Sequence, residues 1–373
     1  MILKNSRHQA VLFFLLLFSL LGTASLQAQK NKTAILAYYA GPPERLDSFD
    51  ANQMTHIIFC FGHVDSTNRF ALRSLKDTLV IQKMVAMKEK NPDLKVLLSL
   101  GGWGGCAPCS DAFATEEGRK TFIESFKQIT DFFQTDGIDL DWEYPTIAGF
   151  PGHKFAPTDK DAFTALVKEL RSALGKRKTI TFAAGGFQKY LDESVDWPKV
   201  MRYVDYVNIM SYDLVSGYAT TTGHHTALYS SAQQKESTDN AVQFLLRNGV
   251  KSRKIVIGAA FYTRIWQNVS ADNNGLYQSG QFKGAADFRY FPTALSKDSG
   301  FVFYWDEVAK APYAYHPEKQ LFATFDDKRS IEIKTAYVMQ HKLGGIMFWQ
   351  LGSDTYADGL LETINETLKQ PSK

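Results

Sequence analysis

The sequence predicts an α/β fold: a (β/α)8 TIM barrel with a small α+β insertion domain between its seventh and eighth strands. Two patterns predict it. Eight short runs of apolar, β-branched and aromatic residues recur along the 373-residue chain, several of them separated by amphipathic helical patterns. About 80 residues then part the seventh run from the eighth, far more than one crossover and its helix require.

The runs lie at 34–39, 56–61, 95–100, 137–142, 179–184, 203–210, 255–261 and 345–350. Ahead of the first, Lys4 and Arg7 precede an unbroken apolar stretch from Val11 to Phe18 and a tail with small residues ending at Ala28. That order reads as a secretory signal peptide over 1–28 and implies a secreted or periplasmic protein. A membrane anchor, the competing reading, would need ~20 consecutive apolar residues, and this stretch is shorter. The first crossover, 40–55, is short and poorly helical. A helix starts at Thr115, with Glu116 and Glu117 in its first turn and Phe122, Ile123, Phe126, Ile129 and Phe133 at helical spacing. Thr158, Asp159, Lys160 and Asp161 read as a capping box opening another helix, and Asn91-Pro92 closes a third. The insertion, 265–323, is rich in aromatics, glycine and asparagine and divides the barrel into 29–264 and 324–373.

Hydrophobic residues make up 45% of the chain, which suits a buried globular core. The 42 basic and 39 acidic side chains nearly cancel, with no long run of one sign. No nucleic-acid track or polybasic membrane patch follows from that balance, and the expected partner is uncharged. The 17 Tyr and 6 Trp can fill cores or stack on the apolar faces of sugars. Cys106 and Cys109 lie three apart in one loop, where export permits a disulfide, and a bridge between them is expected. No second CxxC and no clustered His completes a metal set. Cys60, in an apolar strand, reads as an inert buried thiol. His224 and His225 point opposite ways in extended chain and read as ordinary loop residues.

The run from Gly137 to Glu143 carries the chemistry. A strand's period of two puts Asp139, Asp141 and Glu143 on one face and Ile138, Leu140 and Trp142 on the other. In a barrel the acids point inward, about 6.6 Å apart at Cα, where they cannot all stay ionised in a partly dry interior. Glu143, nearest the C-terminal mouth, is the one a substrate reaches, and a carboxyl raised by burial and by the acids behind it suits a general acid.

Asp136-Gly137-Ile138-Asp139-Leu140-Asp141-Trp142-Glu143 resembles the DGxDxDxE signature of glycoside hydrolase family 18, the chitinases and their relatives. Ser99-Leu100-Gly101-Gly102 resembles the family's SxGG, Met210-Ser211-Tyr212-Asp213 its MxYD, and Phe261-Tyr262-Thr263-Arg264 its FYGR with Thr263 in place of the usual glycine. The stretch 265–323 resembles the insertion domain of the deep-cleft members.

The resemblance implies a chitinase that hydrolyses β-1,4 bonds between N-acetylglucosamine units of chitin or its oligosaccharides, with no metal or organic cofactor. It also answers a chemical question. Retaining glycosidases normally need a second carboxylate as nucleophile, and none is evident in the sequence; in this family the sugar's own acetamido oxygen attacks C1. By resemblance Glu143 is acid and then base, Asp141 orients the acetamido group, Asp139 shares a proton with Asp141, and Tyr212 holds the acetamido group in line. Tyr38, Phe61, Trp103, Tyr144, Ala184, Met210, Asp213, Tyr262, Arg264 and Trp349 occupy positions implied to contact sugar. Two relatives of different activity share the pattern: endo-β-N-acetylglucosaminidases acting on N-glycans, and chitinase-like lectins that bind without cutting. The insertion argues against the first and the presence of Glu143 against the second.

Overall fold

Fourteen strands form two sheets in the computed structural model, which describes residues 33–370. The signal peptide expected at 1–28 lies outside the described residues. Seven strands arise in turn before the long gap: β1 (Ala34–Tyr39), β2 (His56–Val64), β4 (Lys95–Gly101), β5 (Gly137–Asp141), β6 (Thr179–Gly185), β7 (Tyr206–Met210) and β8 (Ile255–Ala260), with a short hairpin strand β3 (Phe70–Ala71) beside β2. After the gap comes β14 (Gly345–Trp349). Their parallel order is β1-β14-β8-β7-β6-β5-β4-β2, and β1 also pairs with β2, which closes the barrel. All eight expected runs became barrel strands, with end shifts of a few residues.

Alternation along those strands sorts the apolar side chains into two layers. Leu36, Tyr38, Ile58, Leu97, Val256 and Met347 meet inside the barrel. Ile35, Ala37, Ile57, Leu98, Ile138, Leu140, Ile180 and Phe182 face outward into a larger core shared with the helices. The helix Glu116–Phe133 starts as expected: the Thr115 side chain accepts a hydrogen bond from the Gly118 amide at 3.0 Å. Its buried stripe, Phe122, Ile123 and Phe126, covers the sheet.

The helix Asp159–Leu174 corrects one expectation. Thr158 makes no side-chain cap, because it is already helical at φ −75° and ψ −11° and cannot turn its hydroxyl back over the first turn. Asp159 does the local work instead: its carboxylate accepts from the Ala156 amide at 2.7 Å and from the Ser110 hydroxyl at 2.8 Å. The first crossover contains only the 3-10 turns Pro43–Ser48 and Ala51–Gln53.

The long gap holds an antiparallel sheet. Its strands are β9 (Tyr262–Gln267), β10 (Gln281–Asp287), β11 (Val302–Asp306), β12 (Ala311–His316) and β13 (Leu321–Thr324), in the order β10-β9-β13-β12-β11. Trp266, Tyr313, Tyr315 and Phe322 pack on one face, Leu295, Phe301, Ala314, Ala323 and Phe325 on the other. Only Phe261 separates β8 from β9, so this sheet grows directly off the mouth of the barrel, and the two belong to one compact unit. Among the described residues no helix is long and apolar enough to cross a membrane.

Candidate active site

At the centre of the barrel, register places Ser99, Asp139 and Thr181 side by side on β4, β5 and β6. Asp139 is fully buried and accepts four hydrogen bonds, two at each oxygen. Thr181 Oγ1 (2.6 Å) and Asn208 Nδ2 (3.2 Å) reach Oδ1; Ser99 Oγ (2.8 Å) and the Tyr38 hydroxyl (3.1 Å) reach Oδ2. Burial raises the Asp139 pKa, and these four donors oppose the rise.

One step toward the mouth, Asp141 is 4% exposed and its Oδ1 has no hydrogen-bond partner. Burial first, then the charges of Glu143 and Asp139, push its carboxyl well above the ordinary range. Glu143, the next inward acid, is 8% exposed. Burial lifts its pKa to about 7; the Tyr144 hydroxyl opposes that shift and the negative charge of Asp213 adds to it. The three acids thus form a line from a donor-filled floor to a carboxyl poised near neutrality at the mouth.

Turns of unusual backbone make room above this line. Gly101 has φ +103°, and a Cβ there would come within 2.2 Å of the Asp141 carbonyl oxygen. At Gly102, φ +74°, a Cβ would strike the Phe61 ring at 2.5 Å, while its amide bonds the Asp141 carbonyl at 2.9 Å. Trp103 follows directly and is 47% exposed, within 6.3 Å of Tyr144 between ring centres. Cys106 and Cys109 are joined by a disulfide, both buried behind this turn. Cys60 is a free thiol, half-buried where full burial was expected, and desolvation, then Asp139 and Asp141, disfavour its thiolate.

Phe61, at the irregularity within β2, and Trp349, at the end of β14, stack with centres 5.6 Å apart and planes 14° from parallel. Across from them, the Tyr212 ring lies edge-on to Tyr262 at 6.0 Å, and Met210 packs beside Tyr212 in the inner layer. Asp213 forms a two-point ion pair with Arg264. Tyr38 is placed differently from a sugar contact: it is buried, and its hydroxyl serves Asp139. Ala184 is turned away from the site. It packs in the outer layer, because the strand's alternation gives the inner face to Thr181 and Ala183 instead.

Glycosyl hydrolases family 18 matches residues 29–354. The chain belongs to that family. Chitotriosidase-1 of Mus musculus is 32% identical over 357 residues, covering 87% of this chain and 74% of that protein. Chitinase A1 of Niallia circulans is 33% identical over 298 residues, 74% of this chain and 42% of its own. A solved family 18 N-acetylglucosaminidase from Paenibacillus barengoltzii shares 38% identity at a TM-score of 0.82, covering 90% of this chain and 99% of its own. As a family 18 member with chitinase relatives, the chain is a glycoside hydrolase of the chitinase type.

Several residues packed around the three acids and the rim carry little signal in the sequence. Thr181 and Asn208 sit inside apolar runs that mask them, although a polar residue at an inward position of a barrel strand is itself a signal. His224 and His225 are not ordinary loop residues. Both are fully buried: His224 Nε2 meets Asp306 at 3.0 Å, and His225 Nδ1 lies 3.5 Å from Asp213. The antiparallel sheet covers their loop, a tertiary fact invisible to local pattern.

Proposed function

We propose that the chain is an exported chitinase that hydrolyses β-1,4 bonds between N-acetylglucosamine units, with retention and with Glu143 as general acid and then base. The observation that carries this reading is the acid gradient along β5. A carboxyl with pKa about 7 at the barrel mouth is protonated often enough to donate to a leaving oxygen and acidic enough to take a proton back from water. The expected catalytic set is Glu143, Asp141, Asp139 and Tyr212. Asp141, with an unpaired buried oxygen, has a hydrogen bond to offer an incoming acetamido group, whose own oxygen attacks C1 and forms an oxazolinium ion. Phe61, Trp103 and Trp349 supply ring faces for sugar stacking.

Export rests on the N-terminal pattern at 1–28, and the assignment of 265–323 as an insertion domain on the antiparallel sheet, whose strands overrun that stretch slightly, from Tyr262 to Thr324. A second reading, release of single N-acetylglucosamine units, is favoured by the 38% identity to the Paenibacillus N-acetylglucosaminidase. One assay series separates the possibilities. Wild type is expected to cleave chromogenic chito-oligosaccharides and E143Q to lose that activity by at least ~100-fold, the scale of a general acid. An unimpaired E143Q variant would sink the mechanism, as would full activity on substrates lacking the acetyl group. Dimer products from a long oligosaccharide support the chitinase reading; monomers alone support the second.

A further inference from the structure

Asn208 stands on β7, fully buried, where its amide meets the tip of the Tyr38 side chain from β1 and Asp139 on β5. Its Nδ2 donates to the Tyr38 hydroxyl oxygen at 2.9 Å and to Asp139 Oδ1 at 3.2 Å. The two bonds have a joint consequence. A hydroxyl that accepts from an amide N–H must aim its own proton elsewhere, and the partner within reach of the Tyr38 hydroxyl is Asp139 Oδ2. Turning the amide over would face its oxygen toward the Asp139 carboxylate and leave the hydroxyl free to point away. The Asn208 Oδ1 atom is buried without a partner, so the amide forgoes one hydrogen bond of its own to keep its N–H groups on this pair.

We infer that Asn208 is a positioning residue: it fixes the direction of the Tyr38 O–H and, through that bond and its own, holds Asp139 as the anion. The inference rests on the proposed catalytic roles of Asp139, Asp141 and Glu143. An anionic Asp139 leaves the proton shared between the two aspartates on Asp141, beside Glu143, where the reaction uses it. Ser99 and Thr181 could each donate to either protonation state, because a hydroxyl also accepts; an amide N–H can only donate. Asn208 therefore supplies the directional part of the cage. The ionisable groups around Asp139 are Tyr38 from β1, Cys60 from β2 and Asp141 on its own strand, with Tyr212 beyond β7 facing Tyr38, and none of them carries a positive charge. The anion is held by hydrogen bonds.

The test is the pH profile of kcat and KM on a chromogenic chito-oligosaccharide for N208L, Y38F and the double variant, with thermal unfolding measured alongside. Leucine keeps the branching and the number of heavy atoms and removes both N–H groups. The expected result is a kcat lowered about 10-fold and an acidic limb moved up by about 0.5–1 pH unit, with KM within about 2-fold, the scale of one hydrogen bond to a charged group. The direction follows from losing donors to the anion, which raises its pKa. Y38F should move the limb the same way, and the double variant should be no worse than the stronger single, because both act through one chain of bonds. An N208L enzyme with the wild-type acidic limb, or singles whose effects add fully, overturns the inference. If N208L does not fold, Y38F alone decides, since an unmoved limb there is equally fatal. E143Q separates the two levels: an active E143Q removes the catalytic reading, whereas an inactive E143Q beside an unshifted N208L removes only the role of Asn208.

Discussion

Arg264 clamps Asp213 by two parallel hydrogen bonds, Nε to Oδ1 at 2.6 Å and Nη2 to Oδ2. Asp213 stands in the turn just past β7 with φ +53°, and Arg264 on β9, the first strand of the antiparallel sheet. The pair therefore joins the two sheets at the rim of the site. The His225 ring packs 5.2 Å from Tyr262, and the Arg264 guanidinium lies 5.0 Å over that same ring. A charge that helps to raise Glu143 is thus held still by residues of the added sheet.

Replacing Arg264 by Met should destabilise the fold by about 1–3 kcal/mol at pH 7, the range for hydrogen bonds to a charged group, kept low because both side chains are partly exposed. The Asp213 carboxyl is held well below the ordinary range by hydrogen bonds from His225 and Arg264 and by the Arg264 charge, which together outweigh burial. Stability from such a group is present above its unfolded pKa and is lost as pH falls through the folded one. The gap between wild type and R264M should therefore be widest at neutral pH and narrow steadily below about pH 4. Thermal unfolding at pH 7 and pH 3 checks this, and a gap of equal size at both would show that the clamp acts through packing alone.

Glu143 should set the basic limb of activity. As a general acid it must carry its proton, and burial places its pKa at about 7. In rate profiles of kcat/KM the descending limb is expected near pH 7 in the free enzyme. Neutralising Asp213 as D213N removes one of the charges raising Glu143, so the same limb should move down in pH. A limb that stays in place in D213N would detach Asp213 from the acid.

The same buried acid costs stability. Its carboxyl shifts from 4.5 in the unfolded chain to about 7 in the folded one. Between those values the unfolded chain ionises while the folded chain keeps its proton, so stability declines as pH rises, by up to about 3 kcal/mol. E143Q lacks this penalty. Its melting temperature should match wild type near pH 4 and exceed it above pH 7, even as hydrolysis is lost, and a variant no more stable at pH 8 would contradict the assignment.

The barrel strands were legible because each is a short run of β-branched and aromatic residues buried on both faces, and such runs survive any change in tertiary surroundings. The acid line was legible for a related reason: Asp139, Asp141 and Glu143 break the apolar pattern at the period of a strand. What stayed hidden depends on neighbours distant in sequence. Asn208 looks like one polar residue among apolar ones until the barrel closes and brings it within 2.9 Å of the Tyr38 hydroxyl, 170 positions away. Ala184 matches a family position in sequence, yet the alternation of its own strand gives the inner face to Thr181 and Ala183.

A fully buried ion pair at the C-terminal end of β8 supplies the last test. Lys334 Nζ lies 2.7 Å from Asp326 Oδ2, both side chains at zero exposure, and also donates to the Thr226 hydroxyl at 2.6 Å. Asp326 in turn accepts from the Ala260 amide at 3.0 Å and from Ser330 Oγ at 2.7 Å, while Thr226 Oγ1 reaches the Ser211 carbonyl at 3.3 Å. Ser211 directly precedes Tyr212, so this network ties the end of β8, the helix Lys328–Gln340 and the turn bearing Tyr212 together. K334M keeps the length and apolar stem of the side chain but strands the Asp326 carboxylate, and removing one partner of such a pair costs about 3–5 kcal/mol. The double variant K334M/D326N removes the stranded charge and should recover part of that loss. Melting temperatures of the two variants check the order; a K334M protein as stable as wild type would mean that the carboxylate finds water or a proton without cost, and the network would then hold Tyr212 by packing alone.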